Sequence, residues 1–182
     1  MKFPELETER LKLIQVNEMH TKSYFDILSK DEVTKYYGMD PLKSMEDALK
    51  LIKTLKITYE SKRGIRWAMV LKDTGEFVGT VGLNNLSLWS KRAEIGYELH
   101  PAHWKKGITT EAVKEVLRYS FEELGLFRIG AVTFPQNEAS TKLLQKLGFV
   151  KEGLLRGYLY QGNQSHDACI FSLLRTEWEK NQ

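Results

Sequence analysis

The period of the hydrophobic pattern changes once, abruptly, near the middle of the chain, and that change constrains the fold more than any other feature. Ala93 to Leu99 is an apolar, alternating stretch of the kind a half-covered strand shows. From Thr110 to Leu124 the period becomes helical: Ala112, Val113, Val116, Leu117, Ser120, Phe121 and Leu124 fall on one face, with Glu111, Lys114, Glu115, Arg118, Glu122 and Glu123 elsewhere. Gly125 stops the helix. Between the two segments lies His103-Trp104-Lys105-Lys106-Gly107-Ile108-Thr109-Thr110. A strand that turns sharply into a helix leaves the first N–H groups of that helix unpaired, and with the positive end of the helix dipole they form an anion site. Gly107 removes the Cβ that would block a phosphate there, and Lys105 and Lys106 add positive charge. No Gly-Lys-Ser/Thr follows at the spacing of a Walker loop, so that kind of phosphate site is excluded.

The remaining segments assemble around this junction. Leu11 to Gln15 reads as a first strand, and Asn17 offers an N-cap for a helix carrying Tyr24, Phe25, Ile27 and Leu28. Asp31 to Pro41 is irregular and aromatic. Ser44, with Asp47 three residues on, caps a second helix bearing Met45, Ala48, Leu49, Ile52 and Leu55. Trp67 to Leu71, Phe77 to Leu86 and Arg92 to Leu99 then form a three-strand meander with turns at Asp73-Thr74-Gly75 and at Ser87 to Lys91, where Trp89 is expected to be exposed. Gly79 and Gly82 mark a bulge or a close backbone approach. Arg128 to Phe134 is reached through a helix, which predicts a parallel pairing. Pro135-Gln136-Asn137 leads into a short helix with Ala139, Leu143, Leu144 and Leu147 inward. Phe149 to Leu155 and Asp167 to Leu174 close the chain as a strand pair joined by Gly157 to Asn163. The expectation is an α+β (mixed αβ) fold in a single domain spanning 1–182, with no repeat or linker.

Composition narrows the function classes. A net charge of +3, with basic and acidic residues interspersed, argues against nucleic acid as a direct ligand. One cysteine excludes an internal disulfide and a Cys-rich zinc site, and fits a cytoplasmic protein. No apolar run has signal-peptide length at the start, and none approaches the roughly 20 residues of a membrane span, so no membrane partner is expected. His20, His100, His103 and His166 lack metal-ligand spacing, and no metal is expected. Cys169 lies in an apolar strand and reads as packing.

Several pieces together resemble the GNAT superfamily of acetyl-CoA-dependent N-acetyltransferases. Phe77-Val78-Gly79-Thr80-Val81-Gly82 is similar to that family's third strand. Glu94-Ile95-Gly96-Tyr97-Glu98-Leu99 followed by Trp104 to Ala112 is similar to its acetyl-CoA motif, and Asn137 to Ser140 through Leu147-Gly148-Phe149 to its second motif. Asp167 with Leu173 to Trp178 resembles the tail of the ribosomal-protein serine/alanine N-acetyltransferase-like branch. In the superfamily's pyrophosphate loop, Gln or Arg usually stands where Trp104 does and Gly or Ala where Thr109 does. The resemblance implies a mixed, mostly antiparallel central sheet with helices on both faces.

The implied reaction is direct transfer of an acetyl group from acetyl-CoA, as co-substrate, to a primary amine. The implied acceptor is the N-terminal α-amine of a protein, such as a ribosomal protein, or else a small molecule such as a polyamine, antibiotic or amino acid. A non-catalytic acyl-CoA-binding module is the reading from another class, and a monomer or homodimer is expected. Glu94 and Glu98 share one strand face by the period of two, where a carboxylate can accept a proton and attract a cationic amine. The branch places an acid at Glu94, so Glu94 is the first candidate base and Glu98 the second. The cofactor side comprises Tyr97 and Leu99 on the thioester and pantetheine arm, and Trp104, Lys105, Lys106, Gly107, Ile108, Thr109 and Thr110 at the diphosphate. Asn137 and Ser140 are spaced as an N-cap and its N–H partner. The resemblance adds a pantetheine contact for Asn137 and a proton from Ser140 to the departing thiolate, with Tyr158 and Tyr160 as alternatives. A Cys169–His166 acyl-enzyme is the disfavoured route.

Overall fold

The structure, a computed structural model, describes residues 2–182. Eight strands form one sheet: Leu6–Glu7 (β1), Leu11–Gln15 (β2), Ile65–Leu71 (β3), Phe77–Ser87 (β4), Arg92–Leu99 (β5), Arg128–Thr133 (β6), Val150–Gln161 (β7) and Gln164–Leu174 (β8). Their order is β1-β2-β3-β4-β5-β6-β8-β7, and every neighbouring pair is antiparallel except β5 and β6. The helices are Thr21–Leu28 (α1), Asp31–Thr34 (α2), Met45–Glu60 (α3), Ile108–Arg118 (α4), Glu138–Lys146 (α5) and Arg175–Lys180 (α6). The mixed sheet, the meander and the parallel β5–β6 pair are as the sequence predicts.

Strand alternation sorts the core onto two faces. Trp67 and Met69 of β3 join the cluster that contains Ala112, Val113, Val116 and Leu117 of α4 and Leu144 of α5. Ala68, between them, points the other way with Val70, into the cluster of Tyr24, Ile27 and Leu28 of α1 and Ile52 of α3. Helices therefore cover both faces. Fully burying a side chain the size of leucine contributes on the order of 1.5–3 kcal/mol, so α4 is held chiefly by its apolar face.

Five local features differ from the sequence expectation. The helix expected over Thr110 to Leu124 starts at Ile108 and widens into a π-turn over Tyr119–Glu123. There the buried Ser120 hydroxyl donates to the Val116 carbonyl and competes with the regular ladder. The loop expected over Gly157 to Asn163 is mostly strand. Gly157 makes a bulge, its N–H donating to Asp167 Oδ1, and only Gly162 and Asn163, both at positive φ, form the turn. A turn-forming glycine inside a strand reads in sequence as a loop. Asn17 caps a 3-10 turn, Glu18–His20, that leads into α1. The segment expected to be irregular contains α2, and β1 adds an edge strand before the first one expected.

Candidate active site

The sheet forks between β5 and β6. They pair only from Arg92 to Glu94 against Arg128 to Gly130. Beyond Glu94, β5 stays with β4 through Leu99, whereas β6 stays with β8 through Thr133. The inner edge of β5 from Ile95 onward therefore has no partner strand among the described residues. A cleft of about 890 Å³ fills the fork, lined by Glu94 to Leu99, Ala131 to Phe134, the Trp104–Thr110 loop, the start of α5 and the segment from Glu32 to Met39.

The loop has the geometry of an anion cradle. Lys105 and Gly107 both take left-handed backbone, with φ of 60° and 75°. Glycine adopts that conformation without strain, and a Cβ there would stand 3.4 Å from the Arg10 guanidinium. The first intrahelical bond of α4 runs from the Glu111 N–H to the Gly107 carbonyl. The N–H groups of Ile108, Thr109 and Thr110 consequently have no helical acceptor, at the positive end of the dipole. Trp104 does not face a phosphate with its polar edge: its indole N–H donates to the Leu99 carbonyl at 2.8 Å and ties the loop to the end of β5. Lys105 lines the cleft. Lys106 does not; its ammonium donates to the Ala102 carbonyl.

Across the fork, Tyr97 Oη and Ser140 Oγ are 2.6 Å apart. Burial pushes the Tyr97 phenol up to about 12, against the opposing effect of the Ser140 hydrogen bond, so Tyr97 is neutral at any working pH and either hydroxyl can donate to the other. Asn137 Oδ1 accepts the Ser140 N–H at 3.2 Å, the cap expected from the spacing. Tyr158 and Tyr160 are 54% and 64% exposed, and Leu159 between them faces the cleft instead. Neither is placed to reach the fork.

The two candidate bases have unequal surroundings. Glu94 is half-buried and accepts one hydrogen bond, from Asn85 Nδ2 at 3.0 Å; a register shift in β4 with Asn85 at positive φ turns that amide toward it. Glu98 is buried and engaged on both oxygens. Tyr37 Oη donates to Oε2 at 2.5 Å, Thr80 Oγ1 donates to Oε1, and Arg66 Nη1 lies 3.9 Å away. Burial, reinforced by the Glu98 charge, pushes the Tyr37 phenol well up and keeps it a donor.

Arg66 was not found from sequence. It stands opposite Gly82, which stands opposite Gly96, so two glycines on successive strands open a trough across the sheet. A Cβ on Gly82 would overlap the Ile65 carbonyl and crowd Arg66 Nε, and one on Gly96 would meet the guanidinium. The side chain lies in that trough and donates to the Gly96 carbonyl at 3.0 Å and to Asn84 Oδ1 at 2.8 Å. An arginine inside the apolar run Ile65–Leu71, together with unexplained strand glycines, was the available signal. Gly79 also serves close approach, against the Glu98 carbonyl.

Cys169 is buried and His166 Nε2 is paired with the Gln161 carbonyl, so the two do not form a nucleophile–base pair. No cluster of three or more metal-ligating side chains occurs among the described residues, and no helix is long and apolar enough to cross a membrane.

A forked mixed sheet with a helix N-terminus at the fork fits an elongated anionic acyl donor, and residues 10–150 match the acetyltransferase (GNAT) domain, so the chain belongs to the GNAT acetyltransferases. YoaA of Bacillus subtilis (strain 168), an uncharacterized N-acetyltransferase, is 46% identical over 173 residues, covering 95% of this chain and 98% of that protein. Mycobacterium smegmatis RimJ in complex with CoA-disulfide superposes with a TM-score of 0.87 at 23% identity, over 96% of this chain and 88% of that one. Spermidine N-acetyltransferase from Vibrio cholerae in complex with CoA and spermine gives 0.82 at 19%, over 93% and 98%. At those identities the two structures establish the shared fold alone.

Proposed function

We propose that this acetyltransferase moves the acetyl group of acetyl-CoA directly to a primary amine, with the N-terminal α-amine of a protein as the favoured acceptor. The observation that carries the reading is the placement of an unpaired helix start and an accessible carboxylate, Glu94, on one cleft. Acetyl-CoA supplies an activated acyl group as a thioester. Gly107, Ile108, Thr109 and Thr110 hold its diphosphate through backbone N–H groups, with Lys105 adding charge. Tyr97, Leu99 and Asn137 border the arm, and Lys106 acts only by shaping the loop.

Glu94 attracts the ammonium form of the acceptor and takes its proton, directly or through one water. An α-amine has an unperturbed pKa of about 7.7–8, so one weak base suffices near neutral pH. Glu98, already engaged by Tyr37, Thr80 and Arg66, serves as the second candidate only if that network opens. Ser140 protonates the departing thiolate, and Tyr97 donates into Ser140 Oγ to orient its proton outward. On the acceptor half Arg66 offsets Glu98, which leaves Glu94 and Glu32, among Tyr36, Met39 and Leu159, to meet the amine. We read the chain as one cytoplasmic domain, monomeric or homodimeric.

Thiol release from acetyl-CoA, measured against panels of N-terminal peptides and of small amines, tests the acceptor. Higher kcat/KM on the peptides is expected, and turnover restricted to polyamines or other small amines would overturn the α-amine reading. Gly107→Glu places bulk and a like charge at the diphosphate, at a cost of several kcal/mol, or about a hundredfold or more in CoA affinity by calorimetry. Ser140→Ala is expected to lower kcat about a hundredfold. Tyr97→Phe, which removes one orienting hydrogen bond, is expected to lower it about tenfold, by a factor that does not vary between pH 6 and 9, roughly, because the phenol stays protonated there.

A further inference from the structure

The turn between β1 and β2 lies a hundred residues upstream of the cofactor loop in sequence and touches it directly. Arg10 Nε pairs with Glu111 Oε2 at 2.6 Å, and the Arg10 backbone N–H donates to Glu111 Oε1 at 2.8 Å. Thr8 Oγ1 donates to the same oxygen at 2.5 Å. Arg10 Nη1 donates to the Lys106 carbonyl at 2.8 Å, and Nη2 lies 3.4 Å from where a Gly107 Cβ would stand. In sequence, Arg10 carries no motif and Glu111 falls on the polar face of its helix.

We propose that Arg10 is a positioning residue for the cofactor's diphosphate. This rests on the reading of Lys105 to Thr110 as the diphosphate loop. Two effects combine. A trans peptide is planar, with its N–H pointing opposite to its C=O. By capturing the Lys106 carbonyl, Arg10 fixes the Lys106–Gly107 peptide, which leads into the left-handed Gly107, and directs the Gly107 N–H to the opposite side, away from the guanidinium. The second effect is electrostatic. Glu111 occupies the first turn of α4, where a carboxylate suits the helix dipole but repels an incoming diphosphate. The Arg10 guanidinium and the Thr8 hydroxyl offset that charge, and with the Arg10 N–H they hold the Glu111 carboxyl below its usual range against the effect of burial. Without the Arg10 side chain, Glu111 would keep its Thr8 and backbone donors but would face the anion, one helical turn away, with no countercharge.

CoA binding to the full chain, by calorimetry, tests this with Arg10→Ala, Glu111→Gln and the double variant. Arg10→Ala is expected to weaken CoA about tenfold, with kcat at saturating acetyl-CoA within about twofold of wild type. Adding Glu111→Gln to Arg10→Ala is expected to restore a clear part of the lost affinity, which a purely structural contact would not do. Arg10→Lys keeps the charge but loses the fork and is expected to fall between; it serves as the reference if Arg10→Ala does not fold by circular dichroism. CoA affinity within twofold of wild type in Arg10→Ala, or in Arg10→Lys where that is the reference, overturns the proposal. So does an absence of recovery when Glu111→Gln is added to the same variant. Thr109→Glu, which adds a like charge to the cleft side of the loop at a residue that makes no hydrogen bond to Arg10, separates the failures: if it binds CoA normally the loop reading falls, and if it alone loses CoA only the role of Arg10 falls.

Discussion

Glu94→Gln is expected to lower kcat by about a hundredfold or more while leaving CoA affinity within about twofold, since the carboxylate stands across the cleft from the loop and makes no contact with it. The substitution is nearly isosteric, and a glutamine retains the hydrogen bond from Asn85, which lies at a register shift that tolerates a flipped amide. What is lost is the charge and the capacity to take a proton. The deficit should shrink as pH rises past the acceptor's own pKa, because more of the amine then arrives deprotonated. Steady-state kinetics on a peptide acceptor across neutral and alkaline pH checks this. Retained turnover throughout would remove Glu94 from the reaction and turn attention to Glu98.

Arg66→Leu is expected to cost about 3–5 kcal/mol of stability in urea unfolding, the range seen when one partner of a buried charge pair is removed. Burial disfavours the Arg66 charge, and the Glu98 carboxylate 3.9 Å away opposes that penalty and favours the charged guanidinium. Removing it leaves the Glu98 carboxylate with two hydroxyl donors and no countercharge, and it frees Asn84 Oδ1 and the Gly96 carbonyl. Arg66→Leu combined with Glu98→Leu should recover much of the loss, because no buried charge then remains uncompensated. A single variant within about 1 kcal/mol of wild type would mean that water enters the trough and solvates Glu98.

The local geometry of the proposed donor half was readable because its determinants are local in sequence. Strand period, glycine, helix period and N-cap all fall within short windows around Trp104 to Thr110 and Asn137 to Ser140. The parallel β5–β6 pair followed from a helical crossover, again a short-range pattern. The Arg66–Glu98–Tyr37 network was not readable, because it joins three distant segments and depends on which residues stand in register across β3, β4 and β5. Alternation gives the face of each strand but not the offset between strands, and a trough made by Gly82 and Gly96 exists only once that offset is set. Arg10 escaped notice for the same reason: its partners, Lys106 and Glu111, lie far along the chain. The β7–β8 arm was shortened in the sequence reading because Gly157 looks the same in a turn and in a bulge.

That arm reaches back over the cleft. The Gln161 side chain accepts the Gly38 N–H and donates to the Thr34 carbonyl, and the Gly162 N–H donates to Asp40. The roof of the proposed acceptor half, Glu32 to Met39, is thus fastened to the hairpin tip, whereas the loop before α4 is fastened to the β1–β2 turn through Arg10. The two ends of the molecule that meet the two reactants are separately upholstered: length or composition at residues 32–40 and 157–163 can change to suit a new amine while the acyl-donor side keeps its shape. Paralogues built on this chain would therefore be expected to diverge in acceptor by editing one clasp, without renegotiating the other.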